Sequence, residues 1–137
     1  MKLLFLSILL SFSAAAAPVT INFSQTMGKS GKIFFAIFDS SSQFPKGKAV
    51  KTGSVATLGQ RNVSTVVDLP PGEYAISVFL DENNNERLDQ NAIGIPRERF
   101  GFSNNPRILT GAPSYRDCAL RVLDQDNETE IRLIKLF

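Results

Sequence analysis

A run of alternating acidic and amide side chains at residues 81–91 carries the strongest chemical signal in the sequence. Asp81, Asn83, Asn85 and Asp89 stand at positions 1, 3, 5 and 9 of a D-x-N-x-N-x-x-x-D pattern, with the Arg87 carbonyl at position 7. In a tightly turning loop this spacing directs alternate oxygens at one point, which is how Ca²⁺ gathers six or more oxygen ligands. We therefore predict a calcium site made by these five residues.

The calcium pattern is incomplete at two positions. Glu86 stands at position 6, where the sharp turn prefers glycine, and Ala92 stands at position 12, where a bidentate glutamate usually closes the shell. With two carboxylates among the predicted ligands, we expect a Kd in the ~10⁻⁴ to 10⁻³ M range of extracellular modules. The alternative is an asparagine-rich solvated turn whose side chains bond only to their own backbone.

A second candidate site follows residues 81–91, which we call the acidic loop. Phe100 and Phe102 could form an aromatic platform for a ligand, with Asn104 and Asn105 as hydrogen-bonding neighbours. The alternative is that both rings anchor the chain to the core. A connection as long as Asp81–Asp117 inside a compact domain is usually either functional or wrongly assigned.

The absence of histidine and the single cysteine limit the catalytic mechanisms that the chain can support. The chain contains no histidine and one cysteine, so Ser-His-Asp and Cys-His nucleophilic systems and His-ligated zinc are excluded. A glycan hydrolase that pairs carboxylates from Asp81, Asp89 or Glu98 is the remaining enzymatic alternative. These side chains lie in a polar loop where we expect nothing to raise a pKa. We therefore predict that the protein is not an enzyme.

Charge and cysteine content restrict the partners and the crosslinks. The formal net charge is +2 and there is no block of like charges, so nucleic acid is not an expected partner. A single cysteine, Cys118, cannot form an intramolecular disulfide. We predict a buried, inert thiol, with pairing between two chains as the alternative.

The first residues have the three-part pattern of a cleaved signal peptide. Lys2 gives a short basic region, residues 3–10 form an apolar run, and a block of alanines supplies a cleavage site before Ala17. The apolar run is too short to span a bilayer. We predict that residues 1–16 are the signal peptide and residues 17–137 a single domain. The mature protein is then periplasmic or secreted and not embedded in a membrane.

We predict that β-strands position the candidate site residues, because short apolar runs alternate with turn signals from residue 19 onward. The predicted strands cover residues 19–23, 32–38, 52–58, 62–69, 73–80, 119–123 and 129–136. The fourth and fifth flank Pro70-Pro71-Gly72 and predict a hairpin, and the last two predict another. The pattern predicts an all-β, about seven-stranded antiparallel β-sandwich with a long loop at Asp81–Asp117.

Several of these motifs together resemble a known family. They are Leu69–Phe79 (LPPGEYAISVF), the pattern at Asp81–Asp89, Gly94-Ile95-Pro96 and Gly101–Asn105 (GFSNN). Their combination resembles the bacterial domain-of-unknown-function family 2141, whose members are small exported proteins. The resemblance implies a prealbumin-like (transthyretin-like) sandwich in the periplasm or outside the cell. It brings no established activity, and the family's loop commonly has Gly where this chain has Glu86.

Three functions remain open from the sequence. We predict an exported non-catalytic module that binds a protein, a small molecule or a glycan at one end of the sandwich, with residues 81–91 held by Ca²⁺. The first alternative is the paired-carboxylate hydrolase. The second is a structural or assembly protein that pairs through a sheet edge, for which the apolar residues 131–137 are the candidate.

Overall fold

The computed structural model describes residues 15–136. The predicted signal peptide therefore lies outside the described residues, except for Ala15 and Ala16. The described elements are β1 (Ala17–Ser24), β2 (Lys32–Phe38), β3 (Lys51–Ala56), β4 (Val63–Leu69), β5 (Gly72–Asp81), β6 (Phe100–Phe102), α1 (Tyr115–Cys118), β7 (Leu120–Val122) and β8 (Asn127–Arg132). In this part of the chain no helix is long and apolar enough to cross a membrane.

The strands form two sheets that face each other. One sheet has the order β4-β1-β8, and the other has the order β3-β2-β5-β6 with β7 also paired to β5. The Phe23 ring of β1 stacks on the Phe35 ring of β2 at a centroid distance of 6.1 Å, which joins the two inner faces. The predicted all-β sandwich is confirmed. Strands β1 and β8 run parallel, so the prediction of a purely antiparallel sandwich is wrong for this pair.

Alternation along the strands builds the core. In β1 the side chains of Val19, Ile21 and Phe23 are at most 1% exposed, while Thr20 and Asn22 between them are half-buried. Burial of each large apolar side chain contributes about 1.5–3 kcal/mol. Strand β2 lies between β3 and β5, and on its other face the half-buried Phe34 ring stacks on Phe79 of β5 at a centroid distance of 5.4 Å.

The two predicted hairpins are wrong. Strand β4 pairs with β1 and β5 pairs with β2, so Pro70 and Pro71 carry the chain from one sheet to the other. The Tyr74 hydroxyl fixes this crossing by donating to the Pro70 carbonyl at 2.7 Å. Strands β7 and β8 likewise pair with β5 and β1 rather than with each other. Alternating apolar runs around a turn predict two strands, but they do not determine which strand each one pairs with.

The predicted long loop contains two elements, so the prediction of one continuous loop at Asp81–Asp117 is wrong. Strand β6 pairs with β5, and α1 begins after Ser114, whose hydroxyl accepts the Asp117 N–H. Glycine is required at Gly101, because a β-carbon there would lie 2.8 Å from the Arg132 carbonyl oxygen. Strand β6 therefore passes close to β8, and Phe100 forms an isolated bridge with Ile134.

Candidate functional site

Strand β5 ends at Asp81, which is the first residue of the acidic loop. Asp81 is the last residue of β5, pairs with Lys32 of β2 and is 1% exposed. The turn before β2 approaches the same point, since a β-carbon on Gly31 would collide with the Asp81 carbonyl. A buried carboxylate at a strand end is costly unless hydrogen bonds or charges compensate it.

The loop folds back on the Asp81 carboxylate. Its Oδ1 accepts the Asn85 N–H at 3.3 Å and its Oδ2 accepts the Glu86 N–H at 2.8 Å. Two residues take the left-handed conformation needed for this sharp turn, Asn84 with φ 58° and Glu86 with φ 60°. The loop therefore turns at position 6 without glycine, at a cost of about 1–2 kcal/mol for an ordinary L-residue.

The predicted ligands after Asp81 converge on Asp89. Its carboxylate accepts the Asn83 side-chain amide at 2.5 Å and the Asn85 amide at 2.8 and 3.0 Å. These bonds, first from Asn85 and then from Asn83, hold the pKa of Asp89 below its usual range, and the charges of Arg87 and Arg97 lower it further. The structure thus brings these predicted residues together, with the Arg87 N–H donating to Asn85 Oδ1 at 3.0 Å.

Glu98 closes the loop, a role that the sequence did not predict. Its side chain is 6% exposed; Oε2 accepts the Glu82 N–H at 2.8 Å and Oε1 accepts the Asp89 N–H at 3.2 Å. One carboxylate therefore holds both ends of the loop, where a glutamate at position 12 was missing. Glu98 lies outside the twelve-residue pattern, so local spacing gave no signal for it.

Burial also changes the acidity of Glu98. Removal from water raises the pKa of its carboxyl, and the negative charges of Asp81 and Asp89 add to this, although the two backbone hydrogen bonds oppose it. The expectation that nothing in this loop raises a pKa is wrong for Glu98. The cause is that the polar sequence around it folds over the side chain.

Neutral groups make the hydrogen bonds to the carboxylates of this loop. Within residues 15–136, the hydrogen bonds to Asp81, Asp89 and Glu98 come from backbone N–H groups and asparagine amides. In the same part of the chain no group of three or more His, Cys, Asp or Glu is placed to hold a metal ion. A cation in this loop would therefore also need amide and backbone oxygens, as the sequence pattern predicts.

The four residues of the second predicted site are only partly together. Phe100 is buried, and Phe102 is half-buried with its ring edge-on to Phe100 at 6.0 Å and to Phe44 at 5.9 Å. The Asn104 amide donates to the Ala119 carbonyl. Asn105 donates to the Glu130 carbonyl at 2.9 Å and accepts the Arg132 N–H at 2.8 Å. These contacts tie the segment to the rest of the fold.

The fold and the acidic loop define a small all-β sandwich protein with a candidate cation-binding loop at the end of a central strand. The chain belongs to the bacterial family described as "Uncharacterized protein conserved in bacteria" (DUF2141), whose sequence profile matches residues 21–131. The family resemblance is therefore confirmed, and the match includes the acidic loop as well as residues 100–105. No curated protein and no solved structure shows significant similarity to the chain.

Proposed function

We propose that this protein is an exported, non-catalytic β-sandwich module that binds a ligand or partner, and that Ca²⁺ stabilises its acidic loop. The observation that carries the proposal is the cluster that Asn83 and Asn85 form with the Asp89 carboxylate, with Asp81 buried at the start of the same loop. Within residues 15–136, the hydrogen bonds to the Asp81 and Asp89 carboxylates come from neutral donors, and the charges of Arg87 and Arg97 offset part of the negative charge. A divalent cation with oxygen preference is the simplest complement to this arrangement.

The side chains of the loop fit such a cation. An ionised carboxylate offers about four lone-pair positions, so Asp81 and Asp89 keep accepting capacity beyond the bonds they make. Asn83 and Asn85 meet Asp89 through their amide nitrogens. A half-turn of each amide presents its oxygen instead, and it gives up the bonds that these oxygens now accept from the Asn85 and Arg87 N–H groups. The Asn83 and Asn85 amide nitrogens lie 2.5–3.0 Å from the Asp89 oxygens, so the turned amide oxygens would lie beside the Asp89 carboxylate.

Export is compatible with the position of the first strand. Strand β1 begins at Ala17, which is buried and paired with Leu69. Cleavage before Ala17 would therefore leave the whole strand in the sandwich. The periplasm and the extracellular medium are also compartments in which a loop with Kd near ~10⁻³ M can bind Ca²⁺.

The environment of Glu98 supports a binding role over hydrolysis. A general acid has to lie within hydrogen-bonding reach of its substrate. Glu98 has the raised pKa of such an acid, but it is 6% exposed and both of its oxygens accept backbone N–H groups. The carboxylate therefore holds the loop in place.

The segment considered for assembly is engaged within the chain. Ile131 pairs with Phe23 in the parallel β1–β8 ladder, and Ile134 exchanges two backbone hydrogen bonds with Phe100. These contacts favour an internal packing role for residues 131–134 over pairing with another chain.

Calcium titration of the mature protein tests the proposal. We expect Ca²⁺ to bind by isothermal titration calorimetry and to raise Tm after treatment with EDTA, with free ion at about 100 times Kd adding about 2.7 kcal/mol. Asp89→Asn should abolish the response. Asp126→Asn removes the same charge from an exposed turn and should retain it. An unchanged Tm of the unmodified protein at about 10 mM Ca²⁺, at least ten times the expected Kd, overturns the calcium proposal.

A further inference from the structure

A cleft of about 390 Å³ lies beside β6, at the point where the C-terminal segment crosses it. Phe100 and Ile134 exchange backbone hydrogen bonds of 3.0 and 2.8 Å there, which joins the edges of the two sheets. Gly101 lines the cleft and, lacking a side chain, lets β6 approach Arg132 closely. The volume is at the lower end of the range of small-molecule sites.

The lining of this cleft is strongly cationic. Arg99, Arg132 and Lys135 contribute to it, and none of its lining residues is acidic. The whole chain has 15 basic and 13 acidic residues. The three basic residues of the lining, with no acidic one beside them, are therefore a local excess of positive charge. Guanidinium and ammonium groups bind carboxylate and phosphate well, because each donates charge-assisted hydrogen bonds.

The rest of the lining is mainly apolar. Phe102, Ile108 and Ile134 contribute half-buried side chains to the cleft. Asn105 also lines it, but its amide is occupied by the backbone of β8, where it accepts the Arg132 N–H at 2.8 Å. Asn105 is therefore a positioning residue that fixes the backbone under the Arg132 side chain.

We propose that this cleft binds a small amphiphilic anion. Its carboxylate or phosphate group lies among the three cationic side chains, and its short apolar part lies against the three half-buried apolar side chains. The inference deepens the proposed function by naming a ligand class. It rests on the protein being a binding module and not on Ca²⁺, because the cleft does not share lining residues with the acidic loop.

Four probes, three of which have an eight-carbon chain, separate the contributions of charge and apolar chain to binding. Octanoate and octyl phosphate carry the acidic group and the apolar chain, octanol has the chain alone, and inorganic phosphate has the charge alone. We expect at least one of the two amphiphilic anions to shift the amide resonances of residues 99–108 and 132–135, at least tenfold more tightly than octanol or inorganic phosphate. The stronger of the two identifies the head group. If neither shifts these resonances, or octanol binds equally well, the proposal is overturned.

Charge variants locate the site. Arg132→Gln should weaken binding about tenfold, because it removes a charged donor, whereas Arg121→Gln on exposed β7 removes the same charge and should have no effect. Ile108→Glu places a carboxylate in the cleft and should abolish binding. The same titrations in EDTA and in about 5 mM Ca²⁺, above the expected Kd range, distinguish the two proposals. Binding of the amphiphilic anion in both media supports the cleft proposal even if the calcium proposal fails. Equal weakening of binding by Arg121→Gln and Arg132→Gln contradicts the cleft proposal.

Discussion

Glu98 holds Asp89 through the backbone, since Glu98 Oε1 accepts the Asp89 N–H at 3.2 Å while its other oxygen holds Glu82. A residue outside the predicted calcium pattern thus fixes the geometry of that pattern. Charge-assisted bonds of this kind contribute about 1.5–3 kcal/mol each, and the cost of burying the carboxylate reduces the sum.

Glu98→Ala should destabilise the protein by about 2 kcal/mol, because it leaves two backbone N–H groups without their acceptor. Urea unfolding followed by circular dichroism measures the change. Glu128→Ala is the control, since Glu128 is exposed and accepts only the Asn22 amide; it should cost less than about 0.5 kcal/mol. Equal effects of the two substitutions would show that Glu98 does not hold the loop.

Glu86→Gly should stabilise the protein by about 0.5–1 kcal/mol, because Glu86 has φ 60° and glycine takes this conformation without strain. Asn84→Gly is the matched control: Asn84 has φ 58°, but asparagine already tolerates that region, so little gain is expected. Thermal melts with and without Ca²⁺ compare the two variants, and a loss of stability in Glu86→Gly would contradict the assigned turn.

Asn105→Gly should destabilise the protein by about 2 kcal/mol, because two backbone hydrogen bonds to β8 are lost while the positive φ of 48° is retained. Asn104→Gly removes one bond, to the Ala119 carbonyl, and should cost about half as much. Chemical denaturation of both variants gives the comparison. A larger loss for Asn104→Gly would mean that Asn105 does not anchor the segment.

Cys118 should be unreactive in the folded protein. It is fully buried, and burial raises the pKa of its thiol to about 12, so almost no thiolate is present near neutral pH. An aromatic disulfide reagent at about pH 8 should label it only after urea is added. Rapid labelling without urea would contradict the burial and restore pairing between two chains as an alternative.

Local pattern predicted the strands but not their partners. The alternating side chains of Val19, Ile21 and Phe23 face the core as expected, because a period of two fixes which face is buried. The crossing at Pro70 and the parallel neighbour of β1 depend on contacts between distant parts of the chain. No alternation within one segment carries that information.

In the candidate site too, the sequence predicted the local pattern but not the contacts with distant residues. The spacing of residues 81–89 predicted that their side chains come together, and Asn83 and Asn85 do bond to Asp89. Glu98, which lies after the predicted calcium pattern, bonds to the backbone at both ends of the loop. Phe100 forms a bridge with Ile134, which follows β8 in the other sheet. The three-residue strand β6 is too short to show a period. Only the folded chain brings these groups together.

A crystal of the mature protein grown with Ca²⁺ tests the acidic loop most directly. The calcium proposal predicts an ion with oxygen ligands at ~2.3–2.6 Å, bound by Asp81, Asp89, the Arg87 carbonyl and the turned amides of Asn83 and Asn85. Anomalous scattering at that position would identify the ion as calcium. A loop with both amides still bonded to Asp89 and no density between them, at millimolar Ca²⁺, would contradict the proposal and leave a self-bonded turn.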